Sequence, residues 1–255
     1  MYMKKIVCSL LLVILFVGCY EVNEIISIDE NGTGTYATKM DMGTMLQMIQ
    51  SMAGEEELAK NGLDRVIDTT IHLKSVMDSA ENITPEQRRL FNNGTMNLKM
   101  NVKESIFKID MNFPFNSYSD LQTLMSGKGM TGLGEVFKEL MSKNDSVRST
   151  AAIPDQAMDQ ITNVYDVTIN KNTISRKLNR ERFDSLMKKP EIVQAKQMLG
   201  SFEILTTTII HLPRPAKRVS SDMVTLSDDK KTVTMKYDML QILDTPDKFS
   251  YTIEY

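Results

Sequence analysis

Residues 98–115 constrain the fold more than any other stretch of the chain. Leu98, Met100 and Val102 alternate with Lys99, Asn101 and Lys103. Phe107, Ile109, Met111, Phe113 and Phe115 then alternate with Lys108, Asp110, Asn112 and Pro114. Successive side chains of a strand point to opposite faces, so a period of two buries one face and wets the other. The stretch predicts a β-hairpin turning near Glu104 and Ser105, with one apolar face that other elements must cover. Pro114 has no backbone N–H, which predicts fraying or an edge position for the second strand.

The same alternation returns elsewhere. Ile26 and Ile28, then Tyr36, Thr38, Met40 and Met42, flank Asn31-Gly32, a pair that tolerates positive φ. Val164, Tyr165, Val167 and Ile169 run into a turn at Asn170-Lys171-Asn172, and residues 174–178 return. Helical spacing follows each hairpin: Met45, Met48, Ile49 and Met52; Leu121, Leu124 and Met125, resumed by Val136, Phe137, Leu140 and Met141; and Phe183, Leu186 and Met187 behind an Asn179 cap. Hairpin then helix thus recurs over residues 25–52, 97–141 and 164–199. Residues 63–77 are expected as a strand, and Thr84-Pro85 opens a short helix to Phe91. Beyond Gly200 the chain reads as strand at 202–212, 223–226, 232–239 and 249–255. The expected class is α+β: a mostly antiparallel sheet built from β-hairpins, with helices packed on one face.

The first nineteen residues are of another kind. Lys4 and Lys5 precede an apolar run, residues 6–17, broken only by Cys8 and Ser9 and closed by Gly18 and Cys19. Such a run is too short to span a bilayer and suits a signal peptide. Phe16-Val17-Gly18-Cys19 resembles the bacterial lipobox, in which a small residue precedes an invariant Cys; Phe16 stands where Leu is usual. That resemblance implies cleavage before Cys19, a diacylglycerol on its thiol, and anchoring without a membrane-spanning helix. The organisation expected is a lipoprotein signal peptide over 1–18, a tether over 19–24 and a single α+β domain over 25–255.

Processing of that kind removes Cys8 and modifies Cys19, the only two cysteines. No free thiol, disulfide or thiolate metal site would remain, so stability must come from a core. The formal charge of −3 becomes −5 without Lys4 and Lys5, and nothing favours nucleic acid or an anionic membrane surface. Tryptophan is absent, so large aromatic platforms for gripping sugars are scarce.

Motifs for catalysis are weak. Gly127, Gly129 and Gly132 match G-x-G-x-x-G, but a helical pattern precedes them where a dinucleotide site needs a strand; a hinge or lid loop fits better. His72 and His211 are the only histidines, without G-x-S-x-G or His-x-x-x-His spacing, so neither a triad nor a zinc site is expected. Asp228-Asp229 falls at a turn, where Asp is favoured in any case. Carboxylates can still meet from distant positions, which leaves a carboxylate-based hydrolase as the lesser alternative. Met40, Met42, Met45, Met48 and Met52 form the densest thioether cluster; core packing explains it first, an adaptable lipid-facing surface second, and Cu(I) third. Met45, Met48, Met52 and Phe137 are the candidate contacts for an apolar ligand. Asp68-Thr69-Thr70, Asp78-Ser79-Ala80, Asp145-Ser146-Val147 and Asp184-Ser185-Leu186 resemble short O-glycosylation sites of exported Bacteroidetes proteins. No catalytic residue, cofactor or metal ligand is expected.

The two ends carry a further resemblance. Residues 207–213, a β run ending in Leu212-Pro213, lead through residues 218–221 to Val224-Thr-Leu-Ser-Asp-Asp-Lys-Lys-Thr-Val-Thr-Met235. Together with the opening residues 26–35, these look like the ends of LppM-type lipoprotein domains, which usually carry Trp where this chain has Met235. The resemblance implies an envelope lipoprotein with an α/β domain and possible lipid binding; it carries over no ligand residues. The function expected is a non-enzymatic cell-envelope lipoprotein, held at the outer membrane by acylated Cys19 and binding a lipid or other apolar ligand. The alternative is an envelope scaffold with a filled core that binds another protein by its surface.

Overall fold

The computed structural model describes residues 19–44, 46–47, 50–51, 66–79, 84–126, 163–190, 192–193, 196 and 203–255. It is an α+β protein in which sheet predominates, with two sheets and five short α-helices among the described residues.

The hairpin at residues 98–115 forms as its alternation requires: β4 (Thr95–Asn101) and β5 (Ile106–Phe115) pair antiparallel, turning at a 3-10 helix, Val102–Glu104, and Ser105. Met96, Leu98 and Met100 on β4, and Phe107 to Phe115 at every second position on β5, are buried. Pro114 lies inside neither a frayed strand nor a full ladder: β5 pairs with β2 (Gly34–Asp41) through Pro114, while the β4 ladder has stopped at Asn112.

β1 (Cys19–Ile28) pairs antiparallel with β2 around Asn31-Gly32, as the alternation predicts. Gly32 has φ +84°, and a Cβ there would lie 2.6 Å from the Tyr118 ring, so both conformation and space call for glycine. The strand begins earlier than expected. Residues 19–24, read as a tether, are hydrogen-bonded strand, with Glu21 opposite Asp41 on one side and Leu205 on the other. Alternation in that segment is interrupted by charge, which hid it.

Residues 63–77 are not one strand. β3 (Val66–His72) is an edge strand beside β4, and α1 (Leu73–Ser79) starts where it ends. Leu73, Val76 and Met77 follow helical spacing and are buried, whereas β3 has no buried residue. α2 (Pro85–Phe91) opens on a full capping box: Gln87 N–H donates to Thr84 Oγ1 and Thr84 N–H donates to Gln87 Oε1.

The large sheet closes on the other side of β1. β8 (Glu203–His211) runs parallel to β1, β11 (Thr232–Asp238) antiparallel to β8, and β10 (Thr225–Leu226) at the far edge. The order is β10-β11-β8-β1-β2-β5-β4-β3. One parallel pair therefore sits at its centre, so the sheet is mixed, not wholly built from hairpins. A second sheet, unforeseen from sequence, has the order β6-β7-β12-β9. Its strands are β6 (Tyr165–Asn170), β7 (Thr173–Leu178), β12 (Tyr251–Glu254) and the two-residue β9 (Arg218–Val219).

Both sheets share one apolar core. Ile26, Tyr36 and Ile210 of the large sheet belong to the same buried cluster as Ile174, Tyr251 and Ile253 of the small one, and as Leu73, Phe91 and Leu121 of the helices. α3 (Tyr118–Met125), capped by Ser117 Oγ, ties the layers together: Gln122 Oε1 accepts from Ile169 N–H at 3.1 Å. A second cluster gathers Val164, Tyr165, Phe183, Ile242 and Phe249 around α4 (Arg180–Leu186) and α5 (Gln241–Asp244). Asn179 caps α4 as expected, its Oδ1 accepting from Arg182 N–H.

Candidate functional site between the sheets

The inner faces of both sheets are largely apolar rows, and one row on each sheet carries a charge. On β1 the inward positions run Val22, Glu24, Ile26, Ile28, in which Glu24 is the single polar member. On β7 they run Ile174, Arg176, Leu178. Register sets Glu24 beside Thr38 of β2 and Thr208 of β8, so a polar band crosses the middle of the large sheet.

Glu24 is held on both oxygens. Tyr36 Oη donates to Oε1 and Thr208 Oγ1 donates to Oε2, each at 2.8 Å. Burial raises the Tyr36 phenol well above its ordinary pKa, and the neighbouring Glu24 charge adds to it. Tyr237 is raised by burial and then by Glu24, and Tyr251 by burial. The buried Thr206 Oγ1, one inward step from Thr208, has no hydrogen-bond partner.

Arg176 is half-buried, and its guanidinium carbon lies 4.0 Å from the centre of the Tyr165 ring, a cation–π contact. Tyr165 is itself anchored by donating to the Pro246 carbonyl at 2.9 Å. Burial opposes the charge on Arg176, while Tyr237, Tyr251, Tyr165 and Glu24 around it outweigh that and raise its pKa. No carboxylate among the described residues forms an ion pair with it.

Between these groups lies a cavity of about 60 Å³. Glu24, Tyr36, Thr208, Met235 and Tyr237 of the large sheet line it, facing Arg176 and Tyr251 of the small sheet. Met125, Met223 and Met239 add a thioether wall, and the exposed Lys248 stands beside it. That volume holds a few waters or a compact head group. Methionine side chains have three rotatable bonds and can yield to a larger occupant.

Met45, Met48, Met52 and Phe137 lie outside the described residues, as do the glycines at 127, 129 and 132. The strand β1 begins at Cys19. His72 ends β3 and His211 ends β8, both exposed, with β4, β5, β2 and β1 between their strands. His211 Nδ1 is 3.3 Å from Thr232 Oγ1. Asp229 does the work of a turn, accepting from Ser227 Oγ and Lys231 N–H. Sequence reasoning missed Glu24 and Arg176. The signal was present: each is one charged residue at an apolar-phase position of a strand.

Among the described residues no helix is long and apolar enough to cross a membrane, and no group of three or more His, Cys, Asp or Glu could hold a metal ion. No family model, curated protein or solved structure matches the chain.

Proposed function

We propose that this protein is a non-enzymatic, lipid-anchored envelope protein that holds a small amphiphilic ligand between its two sheets. The observation that carries this reading is the inter-sheet cavity, where methionines and a set of hydroxyl and charged groups face one space. A binding role fits Glu24 better than a catalytic one, because both of its oxygens are already engaged by hydroxyls. Anchoring rests on the leader and the lipobox-like residues 16–19. Acyl chains on Cys19 would leave almost no linker, since Glu21 is already paired on both sides. Helices covering one face of the large sheet remain part of the reading: Leu73, Val76, Leu90 and Phe91 share a cluster with the inward residues of β4 and β5.

Two experiments test it. Cells fed an alkyne fatty acid should label the wild-type chain, and Cys19→Ser should lose the label; a labelled variant removes the anchoring half. Native mass spectrometry of the protein recovered from membranes should show a bound small amphiphile. Protein free of ligand, which also takes up none on addition, would favour the scaffold alternative.

A further inference from the structure

We infer that the ligand of the inter-sheet cavity carries an anionic, carboxylate-type head group that pairs with Arg176. This deepens the binding reading above and rests on it. The groups facing the cavity include one carboxylate, Glu24, and two cations, Arg176 and Lys248. They are not equivalent. Glu24 is satisfied, with Tyr36 and Thr208 hydroxyls on its two oxygens. The Arg176 guanidinium has the Tyr165 face on one side and phenols around it, but no carboxylate partner among the described residues.

Glu24 and the phenols favour the charged guanidinium from around the cavity, but no carboxylate among the described residues bonds it directly, so its N–H groups keep room for an anion. Guanidinium presents planar paired N–H donors, a geometry that matches the two oxygens of a carboxylate. Tyr237 and Tyr251 hydroxyls line the same space and can donate to a bound anion. Burial keeps the Tyr251 phenol protonated far into the alkaline range, so that donor persists at neutral pH. Met125, Met223 and Met239 line the same 60 Å³, so an alkyl tail would be admitted only as their flexible side chains yield. The occupant that these groups suit is a compact carboxylate with an apolar tail.

Short, water-soluble probes test this without relying on detergent. The full chain, labelled with [13C]methyl-methionine, is titrated with hexanoate, hexan-1-ol and hexylamine. Hexanoate should shift the methyl resonances of Met125, Met223, Met235 and Met239 and raise the thermal midpoint; hexylamine should do neither. Arg176→Met should weaken hexanoate about ten- to a hundredfold, the loss expected for a charge-assisted pair. If that variant fails to fold, Arg176→Lys should fold and weaken hexanoate less, and the exposed Lys248→Met should weaken it slightly. Equal responses to hexanoate and hexanol, or hexanoate binding indifferent to position 176, overturn the carboxylate assignment while leaving the binding reading in place. No response to any of the three probes overturns both.

Discussion

The two halves of the large sheet's inner face are covered differently. Around β5 and β4 the contact is aromatic and dry: Phe91 of α2 meets Phe113 of β5 edge-on at 5.1 Å, and Phe113 and Phe115 are at most 1 % exposed. Over β1, β8 and β11 lies the small sheet, and the contact holds Glu24, Arg176, the hydroxyls of Tyr36, Thr208, Tyr237 and Tyr251, and a cavity. One chain thus builds a close-packed half that specifies the fold and a polar half that leaves room. Apolar side chains interdigitate to crystal-like density. A charge on an inner row prevents that, because each polar atom must meet a partner.

Substitutions should respond to that contrast. Phe113→Ala should have the largest effect, about 3–5 kcal/mol in urea unfolding, since a fully buried ring leaves a cavity that the surrounding strands cannot close. A loss below about 1 kcal/mol would mean that the aromatic half is not close-packed.

The alkaline limb comes next. Tyr165 and Tyr255 are pushed to about 12, chiefly by burial. A phenol with a raised folded pKa contributes stability that is full below about pH 10 and is lost as pH rises toward 12. Tyr165 alone accounts for about 2–3 kcal/mol of that loss. Absorbance at 295 nm should show these phenols ionising together with unfolding; independent ionisation near pH 10 would show the polar half to be open to water.

Glu24→Ala should cost about 1–3 kcal/mol, because it strands the Tyr36 and Thr208 hydroxyls without removing a packed side chain. A neutral result would place water, not Glu24, at the centre of the band. Asp120→Asn should cost least, about 1–2 kcal/mol. Asp120 is 3 % exposed, accepts from Arg89 Nη2 at 2.5 Å and from Asn116 N–H, and is held below the ordinary carboxylate range, first by the bond from Arg89. Its stabilisation is present above about pH 4 and is lost as pH falls through the lowered pKa, so the variant's acid midpoint should shift less than its neutral stability suggests.

What was legible in the sequence follows the same divide. Alternation at 98–115 placed β4 and β5 with their turn, Thr84-Pro85 opened α2, and Asn179 capped α4. These are local signals, set by backbone geometry within a few residues. Residues 63–77 misled because an exposed edge strand has no buried phase, and because His72 passes directly into helix. β9 and α5 are two and four residues long, too short to show a period. The site was legible only as two isolated charges at apolar-phase positions of β1 and β7, not as a pair. Glu24 and Arg176 acquire their environment only when two sheets meet, and nothing near either residue names its counterpart.

Pairing of β1 with β8 also has a consequence for assembly. Tyr36 reaches Glu24 across 12 residues, but Thr208 reaches it across 184. Closing so long a loop costs entropy before any contact repays it, and non-local strand pairing is slow. β1 and β2 can therefore form early, leaving one edge of β1 with unpaired backbone groups until β8 arrives. The rate-limiting event is expected to be that docking, with the Glu24 carboxylate completing its second bond as the sheet closes.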